Sequence, residues 1–184
     1  MNELRLHLTG ASGAGVTTLG RSLAQQLAIP HFDADDFYWA PAAPEFSSKR
    51  PPEDRVRLMQ ELFVPRPTWI LSGSVMGWGD ALVPRITHVI LVETPTEVRL
   101  ARLRAREACR YGADAVASGG ARHEETTAFL DWASRYDSDG FTGRSRRQHA
   151  AWLDALSCLV LRVDGSLELD AVTDEVLRWC LDKR

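Results

Sequence analysis

The most constraining feature of this sequence is a glycine-rich segment that directly follows an apolar run at residues 4–9. The segment reads Gly10, Ala11, Ser12, Gly13, Ala14, Gly15, Val16, Thr17 and Thr18. Gly10 and Gly15 stand as in the pattern G-x-x-x-x-G-K-[ST], and Thr17 takes the position whose hydroxyl reaches a nucleotide-bound magnesium ion. Backbone N–H groups of such a loop converge on one anion, and the following helix adds its positive N-terminus. The sequence therefore predicts a phosphate-binding loop.

Position 16 departs from that pattern. Val16 stands where the pattern has a lysine that reaches the β- and γ-phosphates. The loop backbone should still bind a phosphate, but any catalysis must take its positive charge from elsewhere in the chain. The alternative is that residues 10–18 form only a turn between a strand and a helix. The apolar positions Leu19, Leu23 and Leu27, spaced as on one helix face, favour the phosphate loop.

The composition is that of an ordinary globular enzyme. The chain has 184 residues, 45% hydrophobic and 26% charged, which suits one domain spanning residues 1–184. The net charge of -3 gives no whole-molecule attraction to nucleic acid or to an anionic membrane, so neither is an expected partner. The strand pattern starts at residue 4, which leaves no room for a signal peptide. We therefore expect a cytoplasmic protein that is a monomer or a homodimer.

Strand and helix patterns alternate along the chain. The predicted strands are Leu4–Thr9, His31–Asp33, Trp69–Ser72, His88–Val92 and Cys158–Val163. The predicted helices are Gly15–Leu27, Glu53–Phe63, Thr96–Arg110, Glu124–Arg135, Arg144–Leu156 and Glu168–Leu181. This alternation predicts an α/β fold with three α/β/α layers, in which helices cover a five-stranded parallel sheet.

Two segments lack the apolar pattern of a core. Residues 35–52 are rich in proline, alanine and polar side chains, and residues 112–123 contain a Ser-Gly-Gly run. Ligands bind at the carboxyl ends of the strands in an open α/β sheet, so both segments should overhang the site. We therefore assign residues 35–66 as an acceptor-binding segment and residues 111–143 as a lid region.

Three aspartates, Asp33, Asp35 and Asp36, stand at the end of the second predicted strand. On an extended chain, Asp33 and Asp35 would point to one face and Asp36 to the other. Phosphoryl transfer needs a metal ion on the phosphates and a carboxylate that orients the acceptor oxygen. Asp33 is the candidate for the metal side and Asp35 for the acceptor side, both as catalytic groups. The alternative is that these aspartates solvate a loop or cap a helix.

The helix predicted after the fourth strand carries four arginines on one face, here called the arginine stripe: Arg99, Arg102, Arg106 and Arg110. No acid lies within the stripe, and like charges one turn apart destabilise a helix slightly unless an anion compensates them. A nucleoside triphosphate is such an anion, so Arg102 and Arg106 are candidate catalytic residues, and Arg102 a candidate nucleotide ligand. The alternative is a solvated face in an arginine-rich protein.

Taken with these motifs, the whole chain resembles the adenylate-kinase-like P-loop family of small kinases, which includes nucleoside monophosphate, shikimate and gluconate kinases. Residues 32–35, Phe-Asp-Ala-Asp, resemble the Asp-x-Asp that ends the second strand of shikimate kinases. Residues 10–18, 35–39 and 72–74 are also similar to a bacterial group labelled AAA-family ATPases, adenylate-kinase-like proteins or topology modulation proteins.

The resemblance implies ATP as the nucleotide and Mg²⁺ as the cofactor. It places Asp33 in the water shell of a metal ion that Thr17 also binds. It implies that arginines after the lid, here Arg144 and Arg146, bind phosphates, and that the turn at residues 164–166 passes the adenine ring.

Two functions remain open. The first is a kinase that transfers the γ-phosphoryl group of ATP to a small acceptor, such as a nucleotide or a hydroxy metabolite. The second is a nucleotide-binding module or slow NTPase with a regulatory role. The pair Asp33 and Asp35 favours the first, and Val16 favours the second.

Overall fold

The computed structural model describes residues 3–43 and 45–182. Met1, Asn2, Pro44, Lys183 and Arg184 lie outside the described residues. The two ends of the predicted domain, and one position within the predicted acceptor-binding segment, therefore lie outside them as well.

Five strands form one parallel sheet in the order β2-β3-β1-β4-β5. The strands are β1 (Leu4–Gly10), β2 (His31–Asp33), β3 (Thr68–Ser72), β4 (His88–Glu93) and β5 (Leu159–Asp164). The predicted five-stranded parallel sheet is confirmed, with β1 at its centre. Because all strands run the same way, their carboxyl ends meet at one edge of the sheet.

Eight α-helices connect and cover the strands of the described chain. They are α1 (Val16–Leu27), α2 (Ala34–Tyr38), α3 (Pro52–Leu62), α4 (Thr96–Tyr111), α5 (Ala113–Val116), α6 (His123–Ser134), α7 (Arg146–Asp154) and α8 (Leu169–Asp182). Two 3₁₀ helices span Asp80–Arg85 and Arg135–Asp137. The predicted lid region 111–143 thus holds α5, α6 and the second 3₁₀ helix.

Alternation of side chains along β1 explains the layers. Leu4, Leu6 and Leu8 are buried in an apolar cluster shared with α1 and α8. Side chains of β1 at the intervening positions face the opposite layer, where His7 contacts Trp152 of α7. All seven residues of β1 are buried, so the central strand is covered on both faces, as is usual in a parallel sheet.

The predicted bounds of the longer helices differ from the structure by one or two residues. Two short helices, α2 and α5, were not predicted. The helix predicted from Arg144 begins instead at Arg146, because the side chain of Ser145 accepts a hydrogen bond from the N–H of Gln148 and caps it. Within residues 3–43 and 45–182, no helix combines the length and the apolar character needed to cross a membrane.

Candidate functional site

The predicted phosphate loop lies between the carboxyl end of β1 and the first turn of α1. Gly15 is the N-cap of α1 and has a φ of 98°, and Gly13 has a φ of 81°. Both values belong to the left-handed region, which residues with a Cβ rarely adopt. A Cβ on Gly13 would also lie 2.7 Å from the carbonyl oxygen of Arg99. The glycines therefore permit a tight loop that packs against α4.

Val16 is the first residue of α1, and its side chain is buried in the apolar cluster on the α1 side of the sheet. Its Cγ2 lies 3.1 Å from the position of a Cβ built on Gly10. The first residue of α1 is therefore uncharged and buried, whereas the pattern has a lysine at this position.

Thr17 and Asp33 bring the loop and the end of β2 together. The hydroxyl of Thr17 donates a 2.7 Å hydrogen bond to Oδ2 of Asp33, and Oδ1 of Asp33 accepts one of 3.0 Å from the backbone N–H of Asp35. The second bond makes Asp33 the N-cap of α2. The three residues that the sequence selected are therefore neighbours at the carboxyl edge of the sheet.

The geometry predicted for Asp33 and Asp35 is wrong. Asp33 and Asp35 do not share one face of an extended strand, because β2 ends at Asp33 and α2 begins at Ala34. Instead, the Asp33 cap starts a helix whose first turn carries Asp35 and Asp36. The alternative role of helix cap is thus observed for Asp33, alongside its contact with the loop.

Asp35 lies in the first turn of α2 and is exposed. Desolvation raises the pKa of its carboxyl above the usual value, and the nearby Asp33 raises it further, while Arg144 and Arg106 lower it. A carboxyl with a raised pKa that also feels the charge of two arginines is suited to accept a proton from a bound hydroxyl.

The described residues suit a magnesium ion that arrives with phosphates. No group of three or more His, Cys, Asp or Glu side chains within residues 3–43 and 45–182 is arranged to hold a metal. Magnesium keeps several waters and is usually bound through one or two protein groups plus substrate phosphates. The hydroxyl of Thr17 and the carboxylate of Asp33 are such groups, and they already contact each other.

Two arginines of the stripe on α4, Arg99 and Arg106, are paired with carboxylates that lie outside the stripe. Arg99 is 1% exposed and pairs with Asp137 at 3.0 Å, and it also donates to the carbonyl oxygens of Thr94, Ser12 and Ala133. Through these bonds, Arg99 connects the phosphate loop to the lid region. Its carboxylate partner lies beyond α6 and not one turn away on α4, so helical periodicity could not reveal the pair.

Arg106 is also paired. Its guanidinium makes two bonds, of 3.0 and 3.1 Å, to the carboxylate of the adjacent Glu107. It remains close enough to Asp35 to lower the pKa of that carboxyl. Arg110, one turn further, stacks 4.7 Å from the ring of Phe46 in the acceptor-binding segment.

Arg102 lies directly over the loop. Its Nη1 donates to the carbonyl oxygen of Gly165 at 2.9 Å and to that of Ala14 at 3.4 Å. The same nitrogen is 3.6 Å from the position of a Cβ on Gly15. Arg102 thus joins the phosphate loop to the turn after β5, which the family resemblance associates with adenine.

Arg144 and Arg146, which follow the lid region, have different surroundings. Nη2 of Arg144 donates a 2.6 Å hydrogen bond to Oγ of Ser12 in the loop. Nε of Arg146 instead makes a 2.7 Å ion pair with Asp137. Of these two predicted phosphate ligands, Arg144 therefore contacts the loop. Arg146 is paired with Asp137, the same carboxylate that pairs with Arg99.

A cavity of about 390 Å³ opens beside this cluster. It lies between the loop that follows β3 and the N-terminal end of α7, and Ser74, Met76, Gly77, Thr142, Gly143, Arg144, Gln148 and Trp152 line it. Hydroxyl, amide and guanidinium groups stand against an indole and a thioether, a mixture typical of small-molecule sites. Among these residues, the sequence had drawn attention to Arg144 and to the 72–74 turn.

A buried hydrogen-bond chain beneath the loop was missed. Nε2 of His149 contacts the hydroxyl of Thr9 at 3.1 Å, and Nδ1 contacts the hydroxyl of Tyr136 at 2.7 Å. Desolvation, with the nearby charge of Arg144, lowers the pKa of His149 to about 3, and burial raises that of Tyr136 to about 12. No local sequence pattern could reveal these hydrogen bonds, since Thr9 and His149 are 140 residues apart.

Comparison of the sequence with known proteins shows which family the chain belongs to. The chain is 40% identical over 174 residues to a protein of Bacillus subtilis (strain 168) named uncharacterized protein YqaC, and the match covers 95% of this chain and 96% of that protein. The chain belongs to the YqaC family. No model of a protein family matches the sequence.

Solved structures are similar to this chain in fold. A shikimate kinase from Bacteroides thetaiotaomicron is 17% identical with a TM-score of 0.57, and the match covers 96% of this chain and 98% of that one. A sugar kinase from Janibacter sp. HTCC2649 is 18% identical with a TM-score of 0.55, covering 97% and 94%. A gluconokinase from Sinorhizobium meliloti 1021 is 12% identical with a TM-score of 0.53, covering 96% and 90%. The predicted adenylate-kinase-like P-loop fold is therefore confirmed.

Proposed function

We propose that this protein is an ATP-dependent kinase that phosphorylates a hydroxyl group of a small molecule bound in the 390 Å³ cavity. The observation that supports the proposal is the contact of Thr17 with Asp33, whose carboxylate also accepts a hydrogen bond from the backbone N–H of Asp35. The fold shared with a shikimate kinase, a sugar kinase and a gluconokinase supports the same reaction class.

The chain's own groups account for each requirement of the transfer. The glycine loop and the N-terminus of α1 bind the donor phosphates, and the hydroxyl of Thr17 and the carboxylate of Asp33 would hold a magnesium ion bound with them. When bound, magnesium neutralises charge on the β- and γ-phosphates. Asp35 accepts the proton of the acceptor hydroxyl as its oxygen attacks the γ-phosphorus. The bond from that phosphorus to the bridging oxygen breaks, and ADP leaves with the electron pair.

The second candidate is a nucleotide-binding module or slow NTPase. Val16 favours it, since a buried valine supplies no charge to the phosphates. We assign the protein to the cytoplasm, and to a monomer or homodimer, as part of the same proposal.

One screen separates the two candidates. Thermal unfolding is followed with magnesium and a non-hydrolysable ATP analogue, alone and with each member of a panel of nucleosides, nucleotides and small hydroxy metabolites. A kinase will show an acceptor that stabilises further in the presence of the analogue. Incubation with ATP should then convert that acceptor to its phosphate ester, detected by mass spectrometry. Binding of ATP with no ester formed from any stabilising compound would favour the binding module.

A further inference from the structure

Two adjacent residues of the second 3₁₀ helix, Tyr136 and Asp137, each begin a chain of contacts that ends at the phosphate loop. This helix is the last one within the predicted lid region. Because it directly follows α6, a displacement of that lid helix would move it. The two chains therefore connect the lid region with the loop that is proposed to bind the nucleotide.

The first chain runs from Tyr136 through His149 to Thr9. The hydroxyl of Tyr136 lies 2.7 Å from Nδ1 of His149, and Nε2 of the same ring lies 3.1 Å from the hydroxyl of Thr9. Burial lowers the pKa of His149 and raises that of Tyr136, so both side chains are uncharged near neutral pH. A neutral imidazole donates from one nitrogen and accepts at the other, so both bonds can form at once. Thr9 directly precedes Gly10, and this chain therefore fixes the start of the loop.

The second chain runs from Asp137 through Arg99 to Ser12. Nη2 of Arg99 donates a 3.0 Å bond to Oδ2 of Asp137, and Nη1 donates to the carbonyl oxygen of Ser12 at 3.3 Å. Arg99 is buried, and a buried charge is costly unless a counter-charge compensates it, so the carboxylate holds the guanidinium firmly. The guanidinium carbon of Arg99 also lies 5.2 Å from the centre of the Tyr136 ring, which brings the two chains side by side. The second chain therefore fixes a backbone carbonyl within the loop.

We propose that Tyr136 and Asp137 are positioning residues, which hold the phosphate loop in its nucleotide-binding geometry and link that geometry to the position of the lid region. They act through His149 and Arg99, and not by contact with the ligand. A loop that binds phosphate through backbone N–H groups loses affinity when those groups must be ordered during binding, so contacts that order it beforehand raise affinity. A lid displaced together with the 3₁₀ helix would release both contacts. The proposal rests on nucleotide binding in the proposed function.

Single and double variants test the two chains. Tyr136→Phe removes the hydroxyl and keeps the ring beside Arg99, and Asp137→Asn removes the charge and keeps the shape of the side chain. Titration calorimetry measures the binding of ADP with magnesium to wild type, to each single variant and to the double variant. We expect each single variant to bind ADP about three- to tenfold more weakly, as for loss of one hydrogen bond. The double variant should lose more than the product of these factors, because one remaining chain still restrains the loop.

Hydrogen exchange of the ligand-free protein gives a readout that depends on no ligand. The backbone amides of residues 11–18 should exchange faster in each single variant than in wild type, and fastest in the double variant. If Asp137→Asn does not fold, Thr9→Val tests the first chain from its other end, since valine keeps the shape of threonine without the hydroxyl. Thr9→Ser keeps the hydroxyl and should restore both the affinity for ADP and the protection of these amides.

Leu153→Ala is the matched control for stability. Leu153 is a buried apolar residue of α7 that packs among other apolar side chains and belongs to neither chain. Its truncation should lower the melting temperature at least as much as Tyr136→Phe, yet leave ADP affinity and loop exchange near those of wild type. Affinity and exchange that follow the melting temperature in every variant, or loop exchange unchanged in both single variants, would overturn the proposal. A wild type that binds no nucleotide would count against the proposed function, while the exchange measurement would still decide on this proposal.

Discussion

The hydroxyl of Thr17 donates to the carboxylate of Asp33 across 2.7 Å, and this bond joins the first turn of α1 to the end of β2. In the proposed mechanism, these two side chains would hold the magnesium ion that accompanies the donor phosphates. Because Asp33 also caps α2, a change of its charge must be separated from a change of its capping ability.

Asp33→Asn makes that separation, since asparagine caps a helix about as well as aspartate. We expect the folded state to keep its stability while the magnesium concentration for half-maximal nucleotide binding rises about 10–100-fold, as for loss of an outer-shell carboxylate. Magnesium titrations with a fluorescent ATP analogue provide the measurement. Asp36→Asn, in the same turn, is the matched control and should shift the midpoint little. A similar shift in both variants would assign the effect to general charge.

Asp35→Asn tests the acceptor side. A carboxylate that orients and deprotonates the acceptor acts mainly in the transition state, so transfer should fall about 10²-fold or more while ATP affinity stays near that of wild type. Steady-state kinetics with the acceptor found in the thermal screen separate the two quantities. Equal turnover in the two proteins would remove Asp35 from the reaction.

The raised pKa of Asp35 also predicts a pH profile. The base form is lost as the pH falls through that pKa, so transfer should decline at a higher pH than an ordinary aspartate would give. Arg144 lowers the pKa, and its removal in Arg144→Ala should move the acid limb of the profile further upward. An acid limb that stays in place in this variant would argue against electrostatic contact between the two groups.

Arg102→Ala tests the contact over the loop. Loss of charge-assisted bonds of this kind costs about 1.5–3 kcal/mol, so affinity for ADP and ATP should both fall about 10–150-fold. Both nucleotides are affected because Arg102 lies toward the turn at Gly165. Arg104→Ala, which removes an exposed arginine of the same helix, is the control for charge. Calorimetric affinities unchanged in Arg102→Ala would show that it is a structural link only.

Gly15→Val tests the loop backbone. Gly15 and Gly140 both have positive φ, 98° and 77°, so valine strains the backbone at either position. Only Gly15 belongs to the loop, and we expect Gly15→Val to abolish the rise in melting temperature that ATP gives, while Gly140→Val keeps it. Retained stabilisation by ATP in the Gly15 variant would contradict the phosphate-loop assignment.

The buried histidines predict sensitivity to acid. Burial lowers the pKa of His7 to about 4 and that of His149 to about 3, whereas both titrate near 6.5 when unfolded. Below about pH 6.5 the unfolded chain binds protons that the folded chain does not, so stability falls with pH. Each histidine contributes about 1.4 kcal/mol per pH unit between its two pKa values.

Urea unfolding between pH 7.5 and 4.5 measures that slope. His149→Gln, which keeps a polar partner for Thr9, should reduce the slope by about 1.4 kcal/mol per pH unit. Tyr136→Phe is the control, because it removes a bond of His149 but leaves its burial: stability should fall at every pH with the slope retained. A slope in His149→Gln equal to that of wild type would show that this histidine is not the group that titrates.

Local patterns were sufficient for the sheet and for the tight glycine-rich loop after β1. The strands read as apolar runs, and a loop that needs left-handed residues at Gly13 and Gly15 can be recognised from those glycines alone. The selection of Asp33 and Asp35 also needed no tertiary information. Their geometry was misjudged because a single side-chain cap turned an expected strand end into the helix α2.

Tertiary structure decided which arginines stay available for phosphate. Helical periodicity places Arg99, Arg102 and Arg106 on one face of α4, but it cannot show that Asp137, 38 residues beyond Arg99, neutralises the first of them. Nor can it show that Arg144, 132 residues from Ser12, reaches the loop. Hydrogen bonds and ion pairs between remote segments depend on how α6 and α7 fold back over the sheet. The sequence by itself determined the parallel sheet and the glycine-rich loop after β1, whereas only the packing of α6 and α7 decided which remote side chains meet at that loop.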